Sequence, residues 1–265
     1  MAPINKHNNN RVKVVLTGFE PFGSHLTNPS WLSIQSLNNT FLDLPAAAKT
    51  NPKHRDAAQA YLVCKELPVE YRKVPELVPS LHVQHGRKTP SQTKLSGEVA
   101  AAIATAEQAE EEGEEGFLST YYIHLGVGRD GHTAIETQAH RVGYGHPDNS
   151  QWFPESKEVP PVTKETWVED PVQLTTTVDT DALANYLSSE KGWICQKSMD
   201  AGLYLCEYTF YLSMAERNRR IAAGEEGEDE RTCLFVHLPS VGNPYSLEEL
   251  QQFVKDMIVA VVSFH

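Results

Sequence analysis

What most constrains the fold of this chain is an alternation, repeated along 265 residues, of short β-branched runs with segments of helical spacing. RVKVVLTGF (11–19), closed by a glycine and a phenylalanine, reads as a buried first strand. YLVCKELPV (61–69), STYYIHLGVG (119–128), WICQKS (193–198) and TCLFVHLPSV (232–241) read as further strands. Between them, SWLSIQSLNN (30–39) puts Trp31, Ile34 and Leu37 on one helical face, and residues 74–112 carry helical segments broken by the polar stretch HGRKTPSQT (85–93). VDTDALANYLSSEKG (178–192) and LYLCEYTFYLSMAERNRR (203–220) are predicted helices. SLEELQQFVKDMIVAVVSF (246–264) closes the chain as a third, opened by a Ser246/Glu249 capping box. Strands that alternate with helices need helices on both faces of a mainly parallel sheet. The expectation is a single-domain three-layer α/β/α sandwich with a twisted, mostly parallel, mixed central sheet. It covers residues 11–265 behind a disordered polar tail at 1–10, and residues 148–170, rich in proline, tryptophan and charge, are expected to form a long irregular loop.

The net charge of −12 suggests an acidic protein, but eleven of those charges sit in two runs, six in EQAEEEGEEG (107–116) and five in GEEGEDE (224–230). The remainder is close to neutral, so these segments read as acidic surface insertions. No basic stripe supports nucleic-acid binding. No apolar run reaches the ~20 residues a membrane-spanning helix needs, and the opening MAPINKHNNN does not read as a secretory signal. The expected location is therefore the cytoplasm, where Cys64, Cys195, Cys206 and Cys233 stay free thiols; no C-x-x-C pair suggests a metal site.

Cys206 differs from the other three in setting. Cys64, Cys195 and Cys233 lie in or beside apolar strands, where cysteine behaves as a small hydrophobe. Cys206 falls in the first turn of a helix that follows a strand and a turn. There, unpaired N–H groups and the positive end of the helix dipole favour a thiolate and can hold an oxyanion. The competing reading is one more buried helix residue. A cysteine nucleophile needs a histidine to take its proton and a third group to orient that histidine. His237 ends an apolar strand at the edge where α/β folds place their chemistry; His124 has a similar position and is its rival. His132, His140 and His146 match no metal-ligand spacing and read as loop histidines. Glu136, Asp148 and Asp200 are all candidates for the orienting acid, and spacing does not choose among them. No G-x-S-x-G elbow is present for a serine hydrolase.

Four segments, in order, carry a further signal: LTGFEPFG (16–23) with NPSW (28–31), IHLGVGRDGHTAIETQAHRVGY (123–144) with PDN (147–149), SMDAGLYLCEYTFY (198–211), and LFVHLPSVGNPY (234–245). Together they resemble the pyroglutamyl peptidase I, or pyrrolidone carboxyl peptidase, family of cysteine peptidases. The resemblance implies Cys206 as nucleophile, His237 as general base and then acid, and Glu136 as the orienting acid. It places Phe19 and Phe22 as walls of a slot for the flat, uncharged pyrrolidone ring, with Val127 and Leu205 as further substrate-binding positions. It implies hydrolysis of the bond after an N-terminal pyroglutamate of a peptide, with no metal or organic cofactor, in a chain that acts as a monomer or a homo-oligomer. The other class compatible with these segments is a catalytically silent relative that binds peptide ends or a partner. Glu207, where Asn or Asp is usual in the family, sets a carboxylate one residue from the nucleophile, where it would raise the thiol pKa unless it points away.

Overall fold

The computed structural model describes residues 10–23, 27–45, 57–82, 117–159, 171–224 and 231–264. The expected tail, apart from Asn10, lies outside the described residues, as do the stretch at 85–93 and both acidic runs except Gly224. So does the second half of the 148–170 loop.

Nine strands are described: β1 (Arg11–Phe19), β2 (Thr40–Asp43), β3 (Gln59–Leu67), β4 (Thr120–Val127), β5 (Thr133–Glu136), β6 (Gln138–His140), β7 (Gln173–Thr175), β8 (Cys195–Ser198) and β9 (Arg231–Leu238). The described helices are α1 (Pro29–Leu32), α2 (Val74–Leu81), α3 (Thr180–Ser189), α4 (Leu205–Ala222) and α5 (Leu247–Phe264). Seven strands form one sheet in the order β2-β3-β1-β4-β9-β5-β8, while β6 and β7 pair separately as a short antiparallel ribbon. The β3-β1-β4-β9 centre is parallel and β5 pairs parallel with β8, but β5 runs antiparallel to β9 and β2 antiparallel to β3. The expected mixed, mostly parallel sheet is what forms.

Alternation along β1 explains the layers. Val12, Val14 and Leu16 enter one core with Ile34, Leu183, Phe253, Met257 and Val261, beneath α3 and α5. Val15 and Phe19 enter the opposite core with Val74, Val78, Phe210, Tyr211 and Met214, beneath α2 and α4. Central strands covered on both faces must be apolar at every position, hence the unbroken runs. Gly18 has a specific job at the end of β1: a Cβ there would lie 2.5 Å from the backbone nitrogen of Trp31. Only glycine lets α1 come this close. The predicted first helix is shorter than its spacing suggests, one turn at 29–32 followed by a 3-10 turn at 35–37. Asn28 caps it, its side-chain oxygen accepting from the Ser30 N–H at 3.1 Å. The predicted capping box of α5 forms in both directions, Glu249 N–H to Ser246 Oγ at 3.2 Å and Ser246 N–H to Glu249 Oε2 at 2.8 Å. Among the described residues no helix is long and apolar enough to cross a membrane.

Candidate active site

The carboxyl ends of β4 and β9 and the start of α4 converge on one cleft. Gly126 of β4 stands beside His237 of β9 in register. A Cβ on Gly126 would lie 2.8 Å from the Cys206 sulfur, and one on Gly128 would lie 2.7 Å from the Cβ of His237. The G-V-G sequence therefore works by omission: two missing side chains let Cys206 and His237 pack directly against the strand. Cys206 sits two residues past the N-cap Tyr204, in the first turn of α4.

His237 lies beside the Cys206 side chain and interacts with it. Its Nδ1 meets Glu136 Oε1 at 2.8 Å, and Glu136 is 1% exposed. Since Nδ1 is engaged by the carboxylate, Nε2 is the nitrogen left to face the thiol. The antiparallel pairing of β5 with β9 makes this contact: Ala134 is opposite His237 and Glu136 opposite Phe235. Burial alone pulls the His237 pKa down. The neighbouring Cys206, as a charge and as a hydrogen-bond partner, and the bonded Glu136 outweigh it and raise the pKa to about 10. Such an arrangement can hold an imidazolium beside a thiolate. The other thiols are pushed up by burial, Cys64 to about 12 and Cys195 and Cys233 to about 11, which makes them poor nucleophiles.

The cleft encloses about 340 Å³. Phe22, Val127, Ala201 and Tyr204 line it together with Cys206, His237 and Glu136, while His132, Gln196, Ser198 and Asp200 line its polar side. Of the four expected substrate-binding positions, Phe22 and Val127 line the cleft. Phe19 and Leu205, at 2% and 1% exposure, lie in the core behind it and are not among its lining residues. Phe19 ends β1 pointing inward, whereas Phe22 lies past the Glu-Pro turn, where its ring meets Tyr204 at 6.0 Å. Tyr204, like Gln196 and Ser198, is a cleft residue that sequence reasoning missed; its signal was an aromatic two residues before the cysteine.

The rivals have other employment. His124 is fully buried, bonded to Thr17 Oγ1 at 2.8 Å, and not part of the cleft. Asp148 is a loop organiser that accepts from the N–H groups of Tyr71, Ser150 and Trp152 at 2.8–3.0 Å. The neighbouring Asn149 donates to Glu20 Oε1 and to the Pro21 carbonyl, and Glu20 Oε1 also accepts from Val69 N–H. These bonds pin the loop that presents Phe22. Asp200 lies on the cleft lip with its Oδ1 bonded to Gly202 N–H. Two histidines read as loop residues have partners here: His132 Nε2 meets Gln196 Nε2 at 2.9 Å, and His140 meets Glu207.

No family model matches the chain. Human pyroglutamyl-peptidase 1 is 27% identical over 251 residues, 94% of this chain and 88% of that one. Over nearly its whole length the chain is similar to proteins of the pyroglutamyl peptidase I family. The pyrrolidone-carboxylate peptidase of Thermococcus onnurineus is 37% identical over a shorter stretch of 73 residues, 28% of each chain. Among solved structures, pyroglutamyl peptidase I of Bacillus amyloliquefaciens superposes with a TM-score of 0.59 at 19% identity, covering 96% of this chain and 97% of that one. A mutant pyrrolidone carboxyl peptidase from Pyrococcus furiosus gives 0.60 at 22% identity, covering 94% and 98%. These structural likenesses establish the pyroglutamyl peptidase fold along nearly the whole chain.

Proposed function

We propose that this chain is a cysteine omega-peptidase that hydrolyses the amide bond after an N-terminal pyroglutamate. The observation that carries the reading is the relay from Cys206 through His237 to the buried Glu136, set beside the aromatic wall of Phe22 and Tyr204. The names of the relatives support the same substrate. Pyroglutamate is a neutral planar lactam, and an aromatic wall with no charge of its own suits it.

In the proposed reaction the Cys206 thiolate attacks the pyroglutamyl carbonyl and forms a carbon–sulfur bond, while the carbonyl electrons move to oxygen. N–H groups in the first turn of α4 face that charge. As the intermediate collapses, the carbon–nitrogen bond breaks and the His237 imidazolium gives its Nε2 proton to the leaving amine. His237, now neutral, takes a proton from water, whose oxygen attacks the thioester and releases pyroglutamate and the thiolate. Glu136 keeps the proton on Nδ1 throughout, so Nε2 can cycle. All these groups come from one chain. The four unpaired thiols suit a reducing compartment such as the cytoplasm.

The test is hydrolysis of pyroglutamyl-aminomethylcoumarin under reducing conditions. Wild-type protein is expected to release the fluorophore, and Cys206→Ala to release none above background. Turnover by Cys206→Ala, or none by wild type, refutes the reading. Fluorophore binding without hydrolysis would instead identify a silent peptide-end binder.

A further inference from the structure

Glu207 follows the nucleophile and is 1% exposed, and its carboxylate is fully engaged by other partners. Its Oε1 accepts from the backbone N–H of His140 at 2.9 Å and meets His140 Nδ1 at 2.7 Å; its Oε2 accepts from Leu203 N–H at 2.8 Å. Three hydrogen-bond donors hold the carboxylate where it lies.

The Leu203 contact has a particular geometry. Leu203 has φ +44, a left-handed conformation that is unfavourable for a branched side chain. Gly202 before it has φ +95, so the chain reverses sharply just ahead of Tyr204 and Cys206. Glu207 is the third residue of α4, from which a capping-box glutamate reaches back to the N-cap N–H; here it reaches one residue further, to the strained turn. On the other side His140 ends β6, and the Tyr144 hydroxyl donates to its carbonyl at 2.5 Å. Gly143 leaves room for the Leu203 side chain: a Cβ there would lie 3.1 Å from both Leu203 methyl carbons. One carboxylate thus ties the turn that precedes the nucleophile to a strand on the far side of the helix start.

We propose that Glu207 is a positioning residue. Its carboxylate holds the Gly202–Leu203–Tyr204 turn in its left-handed form and thereby aims the free N–H groups at the start of α4 toward the carbonyl oxygen under attack by Cys206. This rests on the hydrolytic reading above, and its test separates the two.

Glu207→Gln keeps the volume but sets an amide N–H against one of the donors. Two rates are compared: turnover of pyroglutamyl-aminomethylcoumarin, which passes through an oxyanion, and alkylation of Cys206 by iodoacetamide, which does not. Turnover is expected to fall about 10- to 100-fold in kcat, with KM and the alkylation rate both held within about threefold of wild type. A kcat within about threefold of wild type, or alkylation that falls in step with turnover, overturns the proposal. Amide hydrogen exchange at Leu203, expected to accelerate in the variant, reports on the turn even if wild type proves unable to hydrolyse the substrate; unchanged exchange overturns the positioning role. Should Glu207→Gln not fold, His140→Ala removes only the Nδ1 donor at a partly exposed site. Its kcat is then expected to drop about three- to tenfold with alkylation unchanged, and an unaltered kcat overturns the proposal.

Discussion

Replacing Glu136 by glutamine leaves the shape of the site almost untouched and removes one charge. In the folded chain Glu136 Oε1 receives His237 Nδ1 at 2.8 Å in a buried setting. A hydrogen bond to a charged partner contributes roughly 1.5–3 kcal/mol net, or about a 10- to 150-fold change in rate if it is lost in the transition state. A glutamine amide can also donate to Nδ1 and so stabilise the tautomer with the proton on Nε2, which cannot accept from Cys206; the loss is therefore expected at the upper end, about 100-fold in kcat/KM. The pH profile adds an independent signature. Burial pulls His237 down, but Cys206 and Glu136 raise it to about 10, so the imidazolium that protonates the leaving amine persists to high pH. Activity should fall on the alkaline side as that proton is lost. Without the Glu136 charge the raised pKa relaxes downward, and the alkaline limb must move to lower pH. The assay is kcat/KM for pyroglutamyl-aminomethylcoumarin across the pH range for wild type and Glu136→Gln, with melting temperatures as a control on folding. A variant within about threefold of wild type, with its alkaline limb unmoved, would refute the assigned role.

Gly128→Ala places a Cβ 2.7 Å from that of His237, so the imidazole must shift; kcat/KM is expected to drop at least about tenfold while circular dichroism stays that of the folded protein. Phe22→Ala removes one wall of the cleft from a surface loop, and the same fluorogenic assay should show a higher KM with little change in melting temperature. Burial lowers the His124 pKa from 6.5 to about 3 and also lowers that of His82. Between those pH values the unfolded chain binds a proton that folded His124 refuses, so stability falls as pH drops through the window, at up to about 1.4 kcal/mol per pH unit. His124→Gln should flatten the decline of melting temperature from pH 6.5 to 4, and an unchanged slope would contradict this.

Much of the fold was legible because the sheet's central strands are buried on both faces. Continuous apolar runs mark β1, β3, β4 and β9 without reference to their neighbours. The strands not anticipated are three or four residues long: β2 at one edge of the sheet, β5 inside it, and β6 and β7 in the side ribbon. Their conformation is imposed by pairing, and no local pattern announces it. Thr-Ala-Ile-Glu becomes β5 because it fits between β9 and β8. The site divides along the same line. Cys206 could be singled out from its strand–turn–helix context and His237 from its strand end. Glu136 could not, because its partnership with His237 depends on the antiparallel register of β5 and β9, which join positions 101 residues apart. Likewise Phe19 and Phe22 look alike in T-G-F-E-P-F-G, and only the end of β1 before the turn separates a core side chain from one in the cleft. Glu207 shows the same limit: its neighbour in sequence is the nucleophile, but its partners are His140 and Leu203.

The central claim is a covalent pyroglutamyl thioester on Cys206. Acid quenching of wild-type protein during turnover of a pyroglutamyl substrate, followed by mass spectrometry of the cysteine-bearing peptides, tests it most directly. The predicted result is a mass increase of one pyroglutamyl group on the peptide that contains Cys206, lost on treatment with hydroxylamine and absent in Cys206→Ala. The same group on Cys64, Cys195 or Cys233, or undiminished turnover by Cys206→Ala, would contradict it.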